Sequence, residues 1–330
     1  MQGKREGQKP LIILTGPTAA GKTALSVQLA KVLDGEIISA DSMQVYRRMD
    51  IGSAKIRPEE REGIPHHLID VLEPTQDFNV VLFQQMAKEA LESIYSRGRI
   101  PILAGGTGFY IQAILYDIDF TENEEDASYR RRLERLAEEK GPSVLHRMLQ
   151  EVDEASAQAI HENNVKRVIR ALEFHKLTGQ KISGHNAAER QKEAAYNACY
   201  FVLTDDRERL YERIDRRVDK MLADGLTEEV AALREAGCTK DMVSMQGLGY
   251  KEILSFLEGE IPLERAVYLI KRDTRHFAKR QLTWFRREKN VIWIDKNEFE
   301  EDEERILKFM LEKMDEAGIP IKSGKGRKQE

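Results

Sequence analysis

LIILTGPTAAGKTALSVQLAKVL, residues 11–33, decides the architecture. Four consecutive apolar residues, Leu11 to Leu14, run into a glycine-bounded loop, and the loop opens onto a helical pattern. The loop itself, GPTAAGKT (16–23), fits G-x-x-x-x-G-K-[ST] in the strand–loop–helix setting that gives this motif its meaning. In such a loop the backbone N–H groups of residues 18–23 point at phosphate oxygens, helped by the positive end of the helix. Gly16, Pro17, Thr18, Ala19, Ala20, Gly21, Lys22 and Thr23 therefore form a candidate phosphate cradle. Lys22 would neutralise charge between two phosphates, and the Thr23 hydroxyl would hold Mg²⁺. The motif alone leaves open whose phosphates these are.

Outward from this loop, short apolar runs alternate with helical patterns, which is the rhythm of a parallel sheet. EIISA (36–40) reads as a second strand ending at Asp41, HHLIDVL (66–72) as a third, and RIPILAGGTG (99–108) as a buried strand entering a glycine-rich turn. FNVVLFQQMAKEALESIYSRG (78–98) reads as a long amphipathic helix stopped by Gly98. Loops of such units gather at the carboxyl ends of the strands, so GPTAAGKT, Asp41 and GGTG should share one edge. From residue 121 the pattern turns helical and charged until CYFVLT (199–204), a strand returning to the sheet. The expected organisation is a P-loop α/β core, residues 1–120 and 199–330 with a helical C-terminal part and a last strand NVIWID (290–295). Residues 121–198 are read as an inserted all-helical domain, and 323–330 as a disordered basic tail.

Composition excludes several classes. With 41% hydrophobic and 33% charged residues the chain is of ordinary globular type, and its apolar runs fall far short of the roughly 18 residues of a membrane span. No signal peptide is recognisable, and Cys199 and Cys238 form neither a C-x-x-C pair nor a disulfide framework; a cytoplasmic protein is expected. Neither a coiled-coil repeat nor a long apolar edge advertises itself, so a monomer is expected. The net charge of −5 argues against a general nucleic-acid binder, but distribution matters more than the sum. Acidic surplus collects in TENEED (121–126) and NEFEEDEE (297–304), whereas KRDTRHFAKRQLTWFRREK (271–289) holds eight Lys/Arg with Phe277, Trp284 and Phe285 interleaved. That combination suits a phosphate backbone and stacked bases.

A nucleotide hydrolase would place an Asp at the end of a buried strand to grip Mg²⁺. The IPIL strand ends instead in Ala104-Gly105-Gly106-Thr107, and Asp41 is read as the only strand-terminal carboxylate near the loop. Asp41 could serve as a metal partner, a proton acceptor or a helix cap. In the GGTG loop the glycines permit close backbone approach and Thr107 offers a hydroxyl. His66-His67 reads as packing or surface rather than metal ligation. In NVKRVIRALEFHKL (164–177), Lys166, Arg167 and Arg170 flank an apolar stripe and could meet phosphates.

The ordered set GPTAAGKT, DSMQVYR, HHLID, GGTGFYI, KRVIRALE, QGLGYKE and TRHFAKRQLTWFR closely resembles the bacterial tRNA dimethylallyltransferase family, from residue 11 to about 287. Eukaryotic relatives carry an added zinc finger, for which this chain lacks cysteines. The resemblance implies transfer of the dimethylallyl group of dimethylallyl diphosphate to N6 of the adenosine 3′ of the anticodon, with diphosphate leaving. By that resemblance Asp41 is the general base, Thr107 contacts the target nucleotide, and Arg217 helps hold the diphosphate, with Arg213 and Arg216 close by. The same resemblance implies tRNA contacts by Asp41, Ser42, Met43 and Gln44, by Lys166, Arg167, Val168, Ile169 and Arg170, and by Gln246, Gly247, Leu248, Gly249, Tyr250 and Lys251. The target adenosine must leave the anticodon-loop stack, at a cost of roughly a few kcal/mol. Ala20 stands where many relatives carry Ser, a side-chain change where backbone amides do the work. Two alternatives are a P-loop kinase using ATP, which would turn over nucleotide, and a prenyltransferase acting on free adenine nucleotides, which would need neither helical insertion nor basic stripe. A non-catalytic RNA-binding P-loop protein is a further class, against which intact Lys22, Thr23 and Asp41 speak.

Overall fold

The computed structural model describes residues 7–120 and 127–321; the acidic stretch 121–126 and the basic segment 323–330 lie outside the described residues. The chain divides into two compact units, one of residues 1–115 and 194–330 and one of Tyr116–Glu193.

The larger unit is built on six strands among the described residues: β1 (Pro10–Thr15), β2 (Gly35–Ala40), β3 (His66–His67), β4 (Ile100–Gly105), β5 (Asn197–Thr204) and β6 (Val291–Asp295). They lie in the order β3-β2-β4-β1-β5-β6, and every pairing is parallel. Leu11, Ile12, Ile13 and Leu14 are fully buried, as a central strand covered on both faces requires. In the first part of this unit α1 (Lys22–Leu33), α2 (Val80–Ser96) and α3 (Gly108–Leu115) follow β1, β3 and β4. Asn79 caps α2 by accepting the N–H groups of Val81 and Leu82.

The segment expected to extend a strand over 66–72 does so only at His66 and His67. Leu68 and Asp70 adopt left-handed backbone angles, φ 62° and 57°, which end the extended run, and Leu72 makes only an isolated bridge to Tyr46. His67 Nε2 bonds the carboxylate of Glu36 at 2.7 Å, while His66 Nδ1 meets the carbonyl of Ile64.

Among the described residues the second unit holds only helices: α4 (Ala127–Lys140), α5 (Pro142–Val152), α6 (Glu154–Ala159), α7 (Val165–Thr178) and α8 (Ile182–Glu189). Leu133, Leu145, Leu149, Val168, Ile169 and Leu172 form its core. Asp153 is buried there and accepts hydrogen bonds from Ser156 and Ser183, which ties α6 to α8. Its carboxyl, opposed by burial, is held below the usual carboxylate range by those donors.

Back in the larger unit, α9 (Arg207–Ala223), α10 (Leu226–Glu235), α11 (Tyr250–Leu257), α12 (Leu263–Phe285) and α13 (Glu303–Glu316) complete the chain. Behind the acidic run 297–304, α13 carries an i, i+4, i+8 stripe: Ile306, Met310 and Met314 enter the main core beside α1 and β5.

Glu36, with a side chain 1% exposed, sits at the start of β2 under His67, Arg97 and Arg99. Burial opposes its charge, but Arg97, His67 and Arg99 outweigh this and bring the carboxyl down to about 2. A carboxyl depressed on folding stabilises above its unfolded value, near 4.5, and loses that stability as pH falls toward 2. With the arginines half-exposed, about 2 kcal/mol should disappear across this window. Denaturant midpoints measured from pH 5 to pH 2 should show this slope in the wild type and a flatter one in Glu36→Gln.

Candidate functional site at the carboxyl edge of the sheet

Three strands end at one level. Thr15 of β1 pairs with Gly105 of β4, and Gly105 pairs with Ala40 of β2. The Thr15 hydroxyl donates to the Gly105 carbonyl at 2.6 Å, and Thr107 N–H donates to the Ala40 carbonyl at 3.2 Å. The next residues of each strand are therefore neighbours: the loop 16–23, the loop 105–108, and Asp41.

In the first loop, Lys22 folds back so that Nζ donates to the carbonyls of Gly16 (3.0 Å) and Pro17 (2.7 Å). Burial and the nearby Arg217 push its ammonium down to about 7, with Asp41 pulling the other way. Arg217 is likewise lowered by burial and by Arg213, and again opposed by Asp41. Two crowded cations beside a helix N-terminus make a cradle that gains by taking up an anion.

The arginines of α9 separate by their faces. Arg213 donates from Nε to the Ala19 carbonyl at 3.1 Å and forms an ion pair with Asp205. Arg217, one turn on, reaches the Thr18 hydroxyl at 3.4 Å, whereas Arg216 is exposed. Asp205 corrects the expectation that Asp41 is the only strand-terminal carboxylate nearby. It follows β5, which pairs directly with β1, but its carboxylate is committed to Arg213. The signal was present in LTDDR (203–207), where acidic residues follow the last apolar residue of the strand. Lys296, buried at the end of β6, was also not anticipated; its Nζ lies 3.4 Å from where a Cβ on Gly21 would sit.

Asp41 both caps and faces the cradle. Oδ1 accepts the N–H groups of Met43 (2.8 Å) and Gln44 (3.3 Å), and Oδ2 takes no hydrogen bond among the described residues. Ser42, Met43 and Gln44 are half-buried in the same turn. Gly106 and Gly108 are required by close approach: a Cβ at Gly106 would lie 2.2 Å from Gln281 Nε2, and one at Gly108 2.3 Å from the Trp284 ring. Thr107 stands between them, half-buried.

The 246–251 segment meets the Asp41 turn. Met43 Sδ would be 2.7 Å from a Cβ on Gly247, so the two segments touch there. Gln246 is exposed, Leu248 and Lys251 are half-buried, and Gly249 begins α11 with its N–H donated to buried Glu252. Tyr250 is not a surface residue: it is fully buried against Gly52 and donates its hydroxyl to Glu229 at 2.7 Å. Glu229 in turn accepts the N–H groups of Asp50, Ile51 and Gly52. Within the helical unit, Lys166 and Arg167 are exposed and Arg170 is half-buried on α7. Val168 and Ile169 belong to that unit's core, so their side chains are unavailable to any ligand.

The basic stripe of α12 is partly neutralised. Arg275 pairs with Asp215 and Lys271 with Asp219 of α9, and Arg272 pairs with Asp273. Lys279, Arg280, Arg286, Arg287 and Lys289 remain exposed. Among the described residues, no group of three or more His, Cys, Asp or Glu is arranged to hold a metal ion, and no helix is long and apolar enough to cross a membrane.

With this geometry in hand, the chain can be set beside known proteins. The IPP transferase family model matches residues 44–288, and the isopentenyl transferase model matches residues 9–77. The tRNA dimethylallyltransferase of Lachnoclostridium phytofermentans is 60% identical over 308 residues, spanning 92% of this chain and 98% of that one. That of Carboxydothermus hydrogenoformans is 52% identical, spanning 90% and 96%. Among solved structures, the tRNA isopentenylpyrophosphate transferase of Bacillus halodurans aligns with a TM-score of 0.71 at 44% identity, covering 94% of this chain and 98% of that one. A eukaryotic dimethylallyltransferase crystallised acting on tRNA aligns with a TM-score of 0.81 at 29% identity, covering 96% and 81%. Matched over most of its length by the family model and by relatives of this identity, the chain belongs to the IPP transferase family.

Proposed function

We infer that this protein moves the dimethylallyl group of dimethylallyl diphosphate onto N6 of the adenosine 3′-adjacent to the anticodon of tRNA, releasing diphosphate. The observation that carries the reading is the shared edge: the phosphate cradle, Asp41 and Thr107 emerge from three strand ends at one level. A transferase that expels diphosphate needs a leaving-group cradle and a proton acceptor within reach of one another.

The roles follow from the positions. The backbone N–H groups of residues 19–23, with Lys22 and Arg217, receive the diphosphate and stabilise the negative charge that builds as the carbon–oxygen bond breaks; the Thr18 N–H, expected from the motif to join them, is instead donated to Gln281. The electron pair of that bond leaves with the diphosphate, and the N6 lone pair forms the new carbon–nitrogen bond. Asp41 takes the N6 proton on the carboxylate oxygen that its own turn leaves free, while Met43 and Gln44 N–H groups fix its orientation. Thr107 orients the acceptor base. Thr23, exposed at the start of α1, offers a hard hydroxyl oxygen that fits Mg²⁺, an ion that takes few protein ligands beside substrate phosphates. When bound, Mg²⁺ supplies charge neutralisation to the departing diphosphate.

The tRNA is held by the exposed cations Lys166 and Arg167 with Arg170, by the 41–44 and 246–251 segments, and by the unpaired part of the α12 stripe. For Tyr250, Val168 and Ile169 the contribution is to shape those surfaces from below.

The decisive assay incubates the protein with Mg²⁺, labelled dimethylallyl diphosphate and unmodified tRNA. Label should enter tRNA without nucleotide turnover; phosphate transfer from ATP with unlabelled tRNA would overturn the reading. In Asp41→Ala, donor binding should survive while transfer falls by roughly 10²- to 10⁴-fold, and a substantially retained rate removes Asp41 as the base. Arg217→Ala should weaken diphosphate binding by about tenfold or more, as expected for a charge-assisted contact. Arg216→Ala, on the exposed face, should leave it within about twofold, which titration calorimetry can resolve. Binding of tRNA should weaken steeply with salt, so a flat plot of log K against log salt would remove the electrostatic account of docking.

A further inference from the structure

The inner face of α12 touches both loops of the site at successive turns. Ala278, fully buried, packs on Ala19 of the phosphate loop together with Leu210 and Ile214. Trp284 covers Gly108 so closely that no Cβ would fit. Between them lies Gln281, 6% exposed, in a segment whose sequence stands out for its cations and aromatics. Its Oε1 accepts the Thr18 N–H at 2.9 Å, and its Nε2 donates to the Gly106 carbonyl at 3.0 Å.

The orientation of this amide is fixed by its partners. Turned over, Nε2 would face the Thr18 N–H and Oε1 would face the Gly106 carbonyl, two like-for-like clashes. Only a side chain of this length with one acceptor and one donor can hold both backbone atoms at once. Asn is too short, Met has no donor and only a weakly accepting sulfur, and ionised Glu has no donor. The missing Cβ at Gly106 is the matching concession, since any side chain there would displace the Gln281 amide.

We propose that Gln281 is a positioning residue that ties the phosphate loop to the Thr107 loop and so sets the distance between the leaving diphosphate and the acceptor base. This rests on the assignment of the two loops given above. Neither end of the tie points at substrate, so its loss should alter alignment more than binding. A misplacement of about 1 Å between reacting groups costs on the order of 10²-fold in rate.

The test compares wild type, Gln281→Met and Gln281→Glu in single-turnover transfer to unmodified tRNA, with Kd for inorganic diphosphate–Mg²⁺ and for tRNA measured separately. Gln281→Met, close in volume, should transfer roughly 10- to 100-fold more slowly while both Kd values move less than about threefold. In Gln281→Glu the Thr18 acceptor survives, but donation to Gly106 requires a protonated carboxyl. Its rate relative to wild type should therefore climb as pH is lowered from 8.5 to 6, a profile that lost packing would not produce. If Gln281→Met fails to fold, the pH profile of Gln281→Glu decides. An unchanged rate in Gln281→Met overturns the proposal, and so does a diphosphate Kd weakened by as much as the rate. A flat relative pH profile in a slowed Gln281→Glu does so as well. A wild type that transfers no label would instead overturn the functional reading itself.

Discussion

Everything at this site depends on the parallel pairing of β4 with its two neighbours, and on how tightly Gly105 is held there. A Cβ at Gly105 would lie 2.2 Å from the Ala40 carbonyl oxygen, so the strands approach to a distance that no side chain at that point permits. Because β1, β4 and β2 end in register, three different sequence segments deliver their chemistry to one place. A one-residue slip would send every alternate side chain to the opposite face and detach Asp41 from the phosphate loop. The parallel arrangement also supplies the α1 N-terminus, whose amides and dipole favour a bound anion.

Around that edge the protein sorts its charges into those that are committed and those that remain available. Arg213 is spent on Asp205 and on the Ala19 carbonyl, which braces the phosphate loop from outside. Lys22 and Arg217 are crowded together and partly desolvated, a state that a doubly charged anion relieves. The same division runs along α12. Its inner residues hold the two loops, some of its cations pair with α9, and the exposed remainder can meet a phosphate backbone. One helix thus links an exposed basic surface with the two loops at the carboxyl edge of the sheet.

Legibility in the sequence followed the range of the interactions. The phosphate loop, the strands at 11–15, 36–40 and 199–204 and the GGTG turn were readable because their signals are local: apolar runs, glycines and a helix start. The 66–72 strand was overread, since an apolar pattern does not reveal the left-handed turns at Leu68 and Asp70. Asp205 was passed over because its importance comes from lying beside β1, about 190 residues away in the chain. Val168, Ile169 and Tyr250 lie in segments that resemble tRNA-contacting ones, yet packing turns them inward.

By itself, the sequence determined the local pieces: a P-loop motif between a strand and a helix, a carboxylate at the end of the next strand, a glycine-rich turn, and a basic stretch with interleaved aromatics. Periodicity, glycine placement and motif spacing are encoded within a few residues and survive without knowledge of the fold. Only the tertiary structure decided which of Arg213, Arg216 and Arg217 faces the cradle, that Gln281 bridges the two loops, and that the QGLGYKE segment packs on the Asp41 turn. Those facts rest on contacts between residues far apart in the chain, and strand order and helix rotation fix them.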